Sequence, residues 1–367
     1  MRQLDGFFRD SVNDPDRVFL KTAQLIGPAG TGKTSTLIRF GERFTAEARK
    51  KGVTAQHVYV NLKLQGGSRV VLYRHLLEKA TPEVYSSSLS AEEMLRVMVR
   101  ELSSANKYLI VSLDEIDYFI KATKETRVVY DLARLHEIDP EQHTNVLGVI
   151  FVARNKEWYE KLDAAEISTI GRFAIEFPPY RSSEILDILA QRSEEAFQPG
   201  AISPQVLTYI ADLTASPPVT GDIRYALDLL LFAGMVAENQ SSERVLLDHV
   251  RLVHGELHPS ITEEDVMNLP KKEHVVALLA VVRALRNKEE SPYASLREIR
   301  TSLNLLSEEM KMKPIDDLEA YVQDLSDRGL IEIKSLNEIG IRGASTRILA
   351  GYIESLLRRI EDGFGDS

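Results

Sequence analysis

The chain has 367 residues, of which 44% are hydrophobic and 27% are charged, a composition typical of a globular protein with two or three domains. It contains no cysteine, which excludes disulfides and thiolate metal sites, and no apolar run long enough to span a membrane. The N-terminus is too polar for a secretory signal, so we expect a cytoplasmic protein without a membrane partner. The net charge of -10 argues against indiscriminate coating of nucleic acid, although it is compatible with a local basic face.

The first part of the chain alternates short β-rich apolar runs with helical stretches. Such alternation predicts a mainly parallel sheet that is covered by helices on both faces. The predicted strands lie at 22–27, 56–62, 107–114, 146–153 and 175–180.

A glycine-rich stretch, GPAGTGKT, follows the first predicted strand and opens a helix. This is the pattern and the context of a P-loop, in which backbone N–H groups and a helix N-terminus hold phosphate oxygens. Lys33 would place a positive charge near the β- and γ-phosphates, and the Thr34 hydroxyl would ligate Mg²⁺. The alternative is a glycine-rich turn that binds nothing. The residues expected to bind ATP or ADP here are Gly27, Pro28, Ala29, Gly30, Thr31, Gly32, Lys33, Thr34 and Ser35.

Polar residues follow two later strands at the edge of the sheet where ligands of open α/β sheets bind. Asp114 and Glu115 end the run YLIVSLDE, and with a P-loop upstream we expect Asp114 to hold the metal ion and Glu115 to polarise the attacking water. Asn155, after the run at 146–153, is expected to orient water or a γ-phosphate oxygen, the alternative being a plain turn residue.

From residue 181 the pattern changes to helices. Ser182 or Ser183 is the expected cap of one helix, and Ser203, before Pro204, is the expected cap of the next. Two further helices are predicted at 221–238 and 243–257.

After a polar linker at 258–270, the C-terminal part combines helices with a hairpin. The expected elements are helices at 272–286, 295–304, 314–328 and 352–361, and a hairpin at 330–350. In the third of these helices, Ile315, Leu318, Val322 and Leu325 share one face, and Gly329 is expected to end it.

Together, the P-loop, LDEID, the strand-end asparagine and the helical segment resemble an AAA+ ATPase. The stretch GDIRYALDLL at 221–230 is similar to a sensor-2 motif, and by that resemblance Arg224 would reach the nucleotide phosphates. Tyr180, at the end of FPPY, is assigned to the nucleotide site on the same resemblance.

The whole chain further resembles the archaeal origin-recognition/Cdc-type replication initiators, through FPPYRSSEILDILAQRSEEAFQPGAIS, GDIRYALDLL and the C-terminal unit. The resemblance implies an AAA+ domain at 1–180, an all-helical lid at 181–258 and a winged-helix domain at 259–367. It implies a slow ATPase that binds double-stranded origin DNA and helps to load a replicative helicase, with paralogous initiators as further partners.

By the same resemblance, helix 314–328 would enter the major groove and the hairpin would reach the minor groove, with Arg342 at its tip. The region 78–92 matches a DNA-contacting insertion of the family. The residues assigned to DNA binding are Lys311, Lys313, Lys334, Arg342, Gly343 and Arg347.

Two other interpretations remain open. The C-terminal unit of a signalling or regulatory ATPase would bind protein, and the acidic residues of helix 314–328 favour this alternative. A clamp-loader-like ATPase is disfavoured because those proteins end in a helical collar.

Overall fold

The computed structural model describes residues 1–82, 89–138, 144–258, 261–286, 288, 291–313 and 315–363. The chain forms two compact units, Met1–Pro179 and Tyr180–Ser367, each with its own hydrophobic cores. Among the described residues, no helix is long and apolar enough to cross a membrane. Residues 83–88 of the predicted insertion lie outside the described residues.

The first unit is built on a five-stranded parallel sheet, as predicted. The strands are β1 Lys21–Ile26, β2 Ala55–Asn61, β3 Tyr108–Asp114, β4 Val146–Ala153 and β5 Ala174–Glu176. Their order in the sheet is β2-β3-β4-β1-β5. Every residue of β3 and β4 is buried, which is the property of strands that are covered on both faces.

Alternating side chains along these strands divide the core of the first unit in two. Val58 and Val60 of β2 pack into one cluster with the helices on that side, whereas Tyr59 packs against the other cluster. The helices are α1 Arg2–Phe7, α2 Arg9–Asn13, α3 Lys33–Lys50, α4 Leu62–Gln65, α5 Arg69–Ala80, α6 Ala91–Ser104, α7 Ile116–Thr123, α8 Arg127–Ala133 and α9 Ala164–Thr169, with 3-10 turns at Pro15–Arg17, Leu135–Glu137 and Glu157–Lys161.

The second unit begins with four helices, α10 Ser182–Ala196, α11 Pro204–Ala215, α12 Ile223–Asn239 and α13 Leu247–Leu257. Ser203 caps α11 as predicted, since its side chain accepts from the amide of Val206. The predicted cap of α10 is wrong: Arg181 occupies the N-cap position, and the Ser182 hydroxyl donates to Asp212 at 2.7 Å. Helix α13 begins later than predicted because Val245 forms a parallel bridge with Ile202.

The C-terminal part of the second unit contains α14 Glu263–Met267, α15 Lys272–Arg286, β6 Tyr293–Ala294, α16 Leu296–Glu309, α17 Leu318–Asp327, β7 Glu332–Ser335, β8 Glu338–Gly340 and α18 Thr346–Gly363. Its three strands form an antiparallel sheet of order β6-β8-β7. Helix α15 is the central helix of this part, and nearly all of its residues are buried. Helix α14 lies inside the predicted linker.

Helix α17 presents the predicted apolar face. Leu318, Val322 and Leu325 are buried in the C-terminal core, and Ile315 packs against it. The helix ends before Gly329, whose φ of 76° is in the left-handed region, and the amide of Leu330 donates back to the carbonyl of Leu325.

The predicted extent of the hairpin is wrong. The turn between β7 and β8 lies at Leu336 and Asn337, and the segment predicted as its second strand enters α18 at Thr346. Leu349, Ala350, Ile353 and Leu357 are buried at helical spacing, so this segment buries its apolar side chains as a helix. Arg342 and Gly343 therefore lie between the sheet and α18, away from the hairpin tip.

Candidate nucleotide site

The loop from Gly27 to Gly32 connects β1 directly to α3. Gly30 and Gly32 have φ angles of 71° and 83°, which side chains with a Cβ rarely adopt. Gly27 is required for another reason: a Cβ there would lie 2.1 Å from the carbonyl oxygen of Phe177, just after β5. The loop therefore opens onto the N-terminus of α3, an 18-residue helix whose unpaired N–H groups favour anions.

Lys33, the first residue of α3, turns back over this loop. Its Nζ donates to the carbonyls of Gly27 at 2.5 Å and Pro28 at 2.6 Å. Burial lowers the pKa of Lys33, while the carboxylates of Asp114, Glu115 and Asp117 act in the opposite direction. A half-buried cation above an anion-binding loop is suited to contact phosphate.

Asp114 is the most thoroughly hydrogen-bonded carboxylate of this site. It is 4% exposed, its Oδ2 accepts from the hydroxyls of Thr34 at 2.6 Å and Tyr59 at 2.9 Å, and its Oδ1 accepts from the amide of Glu115 at 3.0 Å. Burial and the neighbouring Asp114 raise the pKa of Tyr59 to about 12, so its hydroxyl is a proton donor at neutral pH. The predicted metal ligands, Thr34 and Asp114, are thus adjacent oxygen donors of the kind that Mg²⁺ prefers.

The edge of the sheet also brings Glu115 and Asn155 into the same region. Glu115 occupies the N-cap of α7 in a left-handed conformation, with φ of 62°, and its Oε2 lies 3.1 Å from Nη2 of Arg154. The amide oxygen of Asn155 accepts from the backbone of Glu157 at 3.1 Å, which is the bond of a turn residue. The catalytic roles of Glu115 and Asn155 stay predictions.

Tyr180 and Arg224 belong to the second unit. Tyr180 is half-buried and packs against the helical core there, and its amide donates to the carbonyl of Gly221 at 3.4 Å. Arg224 has a side chain 65% exposed, with Nε 3.5 Å from Oδ1 of Asp222. Their predicted contacts with nucleotide stay predictions.

Sequence reasoning missed two residues of this site. Arg154 directly precedes Asn155, so its place at the end of β4 could have been inferred. Tyr59 was harder to find, because its role depends on the pairing of β2 with β3, which aligns Asn61 with Asp114 and Tyr59 with Ser112. Residues 57, 59 and 61 of β2 share one face, and this alternation was the available signal.

The residues predicted to bind DNA separate into two groups. Lys311, Lys313 and Arg347 are exposed. Lys334 is exposed as well, but its Nζ lies 4.4 Å from the ring centroid of Tyr293 and 3.9 Å from Oδ2 of Asp212. Arg342 forms a two-point ion pair with Glu332. Gly343 is buried, and a Cβ on Gly255 of α13 would lie 2.6 Å from its carbonyl oxygen.

These inward contacts are part of a polar junction between the helices at 182–257 and the C-terminal elements. Asp248 of α13 accepts from the side chains of Ser345 and Thr346 and from the amide of Thr346, at 2.6 to 2.7 Å, and so caps α18. Arg251, only 1% exposed, donates to the carbonyls of Ile341 at 3.2 Å and Pro292 at 3.0 Å.

Comparison with protein families agrees with this architecture. Residues 22–162 match the AAA domain, and residues 186–254 match the Cdc6 AAA+ ATPase-type lid domain. The parallel sheet, the P-loop and the lid define an AAA+ ATPase, as the sequence predicted.

Curated relatives narrow the family. The chain is 29% identical over 371 residues to the ORC1-type DNA replication protein 2 of Saccharolobus solfataricus, covering 99% of this chain and 87% of that protein. It is 31% identical over 290 residues to the ORC1-type DNA replication protein 1 of Aeropyrum pernix, covering 77% of this chain and 71% of that protein. The chain belongs to the archaeal ORC1/Cdc6 family of DNA replication proteins.

Solved structures agree. Cdc6p from Pyrobaculum aerophilum superposes with a TM-score of 0.79 at 25% identity, covering 98% of this chain and 93% of that one. The Aeropyrum pernix ORC1 protein, solved in complex with DNA, superposes with a TM-score of 0.57 at 25% identity, covering 96% and 94%.

Proposed function

We propose that this protein is an ATP-dependent switch that takes part in the initiation of DNA replication by binding double-stranded origin DNA. The observation that carries the proposal is the convergence of Thr34, Tyr59 and Asp114 behind a P-loop, in a chain whose relatives are replication proteins. Helicase loading, contact with paralogous initiators and slow turnover of ATP belong to the same proposal.

In the nucleotide site, the loop from Gly27 to Gly32 would hold phosphates, with Lys33 as the cation. Thr34 and Asp114 would hold Mg²⁺, which neutralises phosphate charge when bound. Glu115 would accept the proton of the attacking water, and Asn155 would orient it. The ion pair with Arg154 keeps the carboxylate of Glu115 at the edge of the sheet.

For DNA, we propose that the C-terminal part is a winged helix that contacts the phosphate backbone through its exposed cations. A relative solved in complex with DNA supports this proposal. Lys311, Lys313 and Arg347 are the strongest candidates because their side chains are exposed and, unlike that of Lys334, are not held beside Tyr293 and Asp212. Lys334, Arg342 and Gly343 contact other residues of the second unit, and we propose that they stabilise the surface that binds DNA and do not contact DNA themselves.

The acidic side chains of α17 favour a second candidate, in which this unit docks a basic protein surface. Two of them are already paired, Glu319 with Arg300 and Asp324 with Arg328, whereas Asp327 is exposed, as is Asp316 just before the helix. Binding measurements with duplex DNA distinguish the two candidates.

The test uses the full chain and a Lys311→Glu/Lys313→Glu variant, titrated with duplex DNA across a salt series. We expect the variant to bind more weakly and the slope of log K against log salt to shrink by about two, one for each phosphate contact. An Arg9→Glu/Arg39→Glu variant makes the same charge change in the first unit and should keep the wild-type slope. If the wild type does not bind duplex DNA at any salt concentration, the DNA proposal fails and the protein-docking candidate stands.

A further inference from the structure

We propose that Tyr59 is a positioning residue for Asp114, holding this carboxylate in the orientation in which it binds Mg²⁺. The inference rests on the proposed nucleotide site and extends it to a residue on a neighbouring strand. Tyr59 lies near the end of β2, two residues before Asn61, the residue paired with Asp114.

The hydrogen bonds around Asp114 assign this role. A carboxylate that is 4% exposed needs fixed donors for its oxygens, since an unpaired buried charge is costly. The amide of Glu115 donates to Oδ1, whereas Oδ2 accepts from two hydroxyls, that of Thr34 at 2.6 Å and that of Tyr59 at 2.9 Å.

Thr34 and Tyr59 differ in what else they would do. The Thr34 oxygen would itself ligate the metal, so its position depends on whether metal is bound. Tyr59 belongs to β2 and not to the phosphate loop, and its hydroxyl donates to Oδ2 of Asp114. Tyr59 therefore fixes the rotation of the Asp114 carboxylate whether or not metal and nucleotide are bound. Residues that hydrogen-bond a metal-ligating side chain without touching the metal often have this role.

Packing places the Tyr59 hydroxyl accurately. The ring packs against the cluster that contains residues of α3, and β2 pairs with β3 in continuous register from Ala55 with Tyr108 to Asn61 with Asp114. A Phe at this position would keep the ring and lose only the hydrogen bond.

The test is a Tyr59→Phe variant in the full chain, with ADP binding measured by calorimetry at increasing Mg²⁺. We expect ADP affinity in EDTA to stay within about twofold of wild type. The Mg²⁺ concentration that gives half of the metal-dependent gain in affinity should rise about tenfold, at the lower end of the effect of such supporting residues.

Tyr73→Phe is the matched control. Tyr73 is fully buried and its hydroxyl donates to Asp131 at 2.8 Å, so this variant also removes a Tyr–Asp bond from the first unit. It should leave the Mg²⁺ midpoint unchanged. A double-mutant cycle with Asp114→Asn adds a second check. If Tyr59 acts through Asp114, Tyr59→Phe should change the Mg²⁺ midpoint little in the Asp114→Asn background, because that carboxylate is gone.

A Mg²⁺ midpoint of Tyr59→Phe equal to that of wild type would overturn the inference and leave Tyr59 as a packing residue. An equal rise in the Tyr73→Phe control would overturn it too, because the effect would then reflect general loosening. If wild type itself binds no ADP, the proposed nucleotide site fails, which is a separate result.

Discussion

At the scale of single residues, the site depends on groups that the chain holds in uncommon conformations. Gly30 and Gly32 have positive φ angles, and Glu115 adopts the left-handed region although it carries a side chain. Glycine adopts a positive φ without steric cost, whereas at Glu115 this conformation costs free energy for which the surrounding structure must compensate. The compensation includes the hydrogen bond that the amide of Glu115 donates to Oδ1 of Asp114, and the ion pair of Glu115 with Arg154.

Glu115→Gln is expected to bind ATP normally but to lose turnover by about 100-fold or more, because an amide cannot accept the proton of the attacking water. Single-turnover hydrolysis and nucleotide binding, measured on the same preparation, check this. Glu157→Gln, at an exposed carboxylate near the same sheet edge, is the control and should hydrolyse ATP at the wild-type rate. Unchanged turnover in Glu115→Gln would remove this residue from the catalytic role.

At the scale of elements, the cap of α18 comes from another helix. Several helices are capped by the residue that precedes them in sequence, such as Ser203 for α11 and Ser295 for α16. Helix α18 instead receives Asp248 of α13, which ties the helical segment to the C-terminal part. Burial acts to raise the pKa of Asp248, but the hydrogen bonds from Ser345 and Thr346 outweigh it and hold this pKa below its ordinary value.

Asp248→Ala should lower the free energy of unfolding of the second unit by about 2–3 kcal/mol, because it removes hydrogen bonds to a charged acceptor. Urea denaturation measures this change, and hydrogen exchange should show faster exchange of the Thr346 amide. Since the pKa of Asp248 is lowered in the folded state, its contribution is complete above pH of about 4 and is lost as the pH falls further.

Asp265→Ala provides the comparison for that experiment. Asp265 accepts from the amide of Thr262 at 2.8 Å, but it caps only its own exposed five-residue helix. We expect Asp265→Ala to lose clearly less free energy of unfolding than Asp248→Ala. Equal losses of stability in the two variants would argue against a special role of Asp248 in joining these elements.

At the scale of the whole molecule, an acidic protein is proposed to bind two polyanions, a nucleotide and DNA. The net charge of -10 opposes both, so binding must come from local arrangements of cations and backbone dipoles. In the first unit these are Lys33 and the N-terminus of α3. In the C-terminal part they are the exposed lysines between α16 and α17.

Nucleotide binding should be visible in the stability of the molecule. ADP with Mg²⁺ at about 100 times its dissociation constant should stabilise the wild type by about 2.7 kcal/mol. Lys33→Ala should lose this gain, because it removes the cation over the phosphate loop, whereas Glu115→Gln should keep it. Thermal unfolding with and without ADP tests this, and an undiminished shift in Lys33→Ala would contradict the assignment of the P-loop.

The features that could be predicted from the amino-acid sequence are those encoded in short continuous stretches of the chain. The P-loop is one continuous stretch whose glycines and flanking strand and helix are adjacent in the chain. The parallel sheet followed from buried runs separated by helices, and Asp114 and Glu115 followed from their place after such a run. The resemblance to the initiator family, which the comparisons confirmed, depended on similar continuous stretches.

Contacts between residues that are distant in the chain could not be predicted in this way, because they depend on how the folded elements pack. Tyr59 meets Asp114 because two parallel strands pair in one register, and Asp248 caps α18 across 98 positions. Arg342 was misplaced for a related reason, since the run after β8 has both β-like composition and helical spacing. Burial of Leu349, Ile353 and Leu357 against the C-terminal core decides for the helix, and that core exists only in the folded chain.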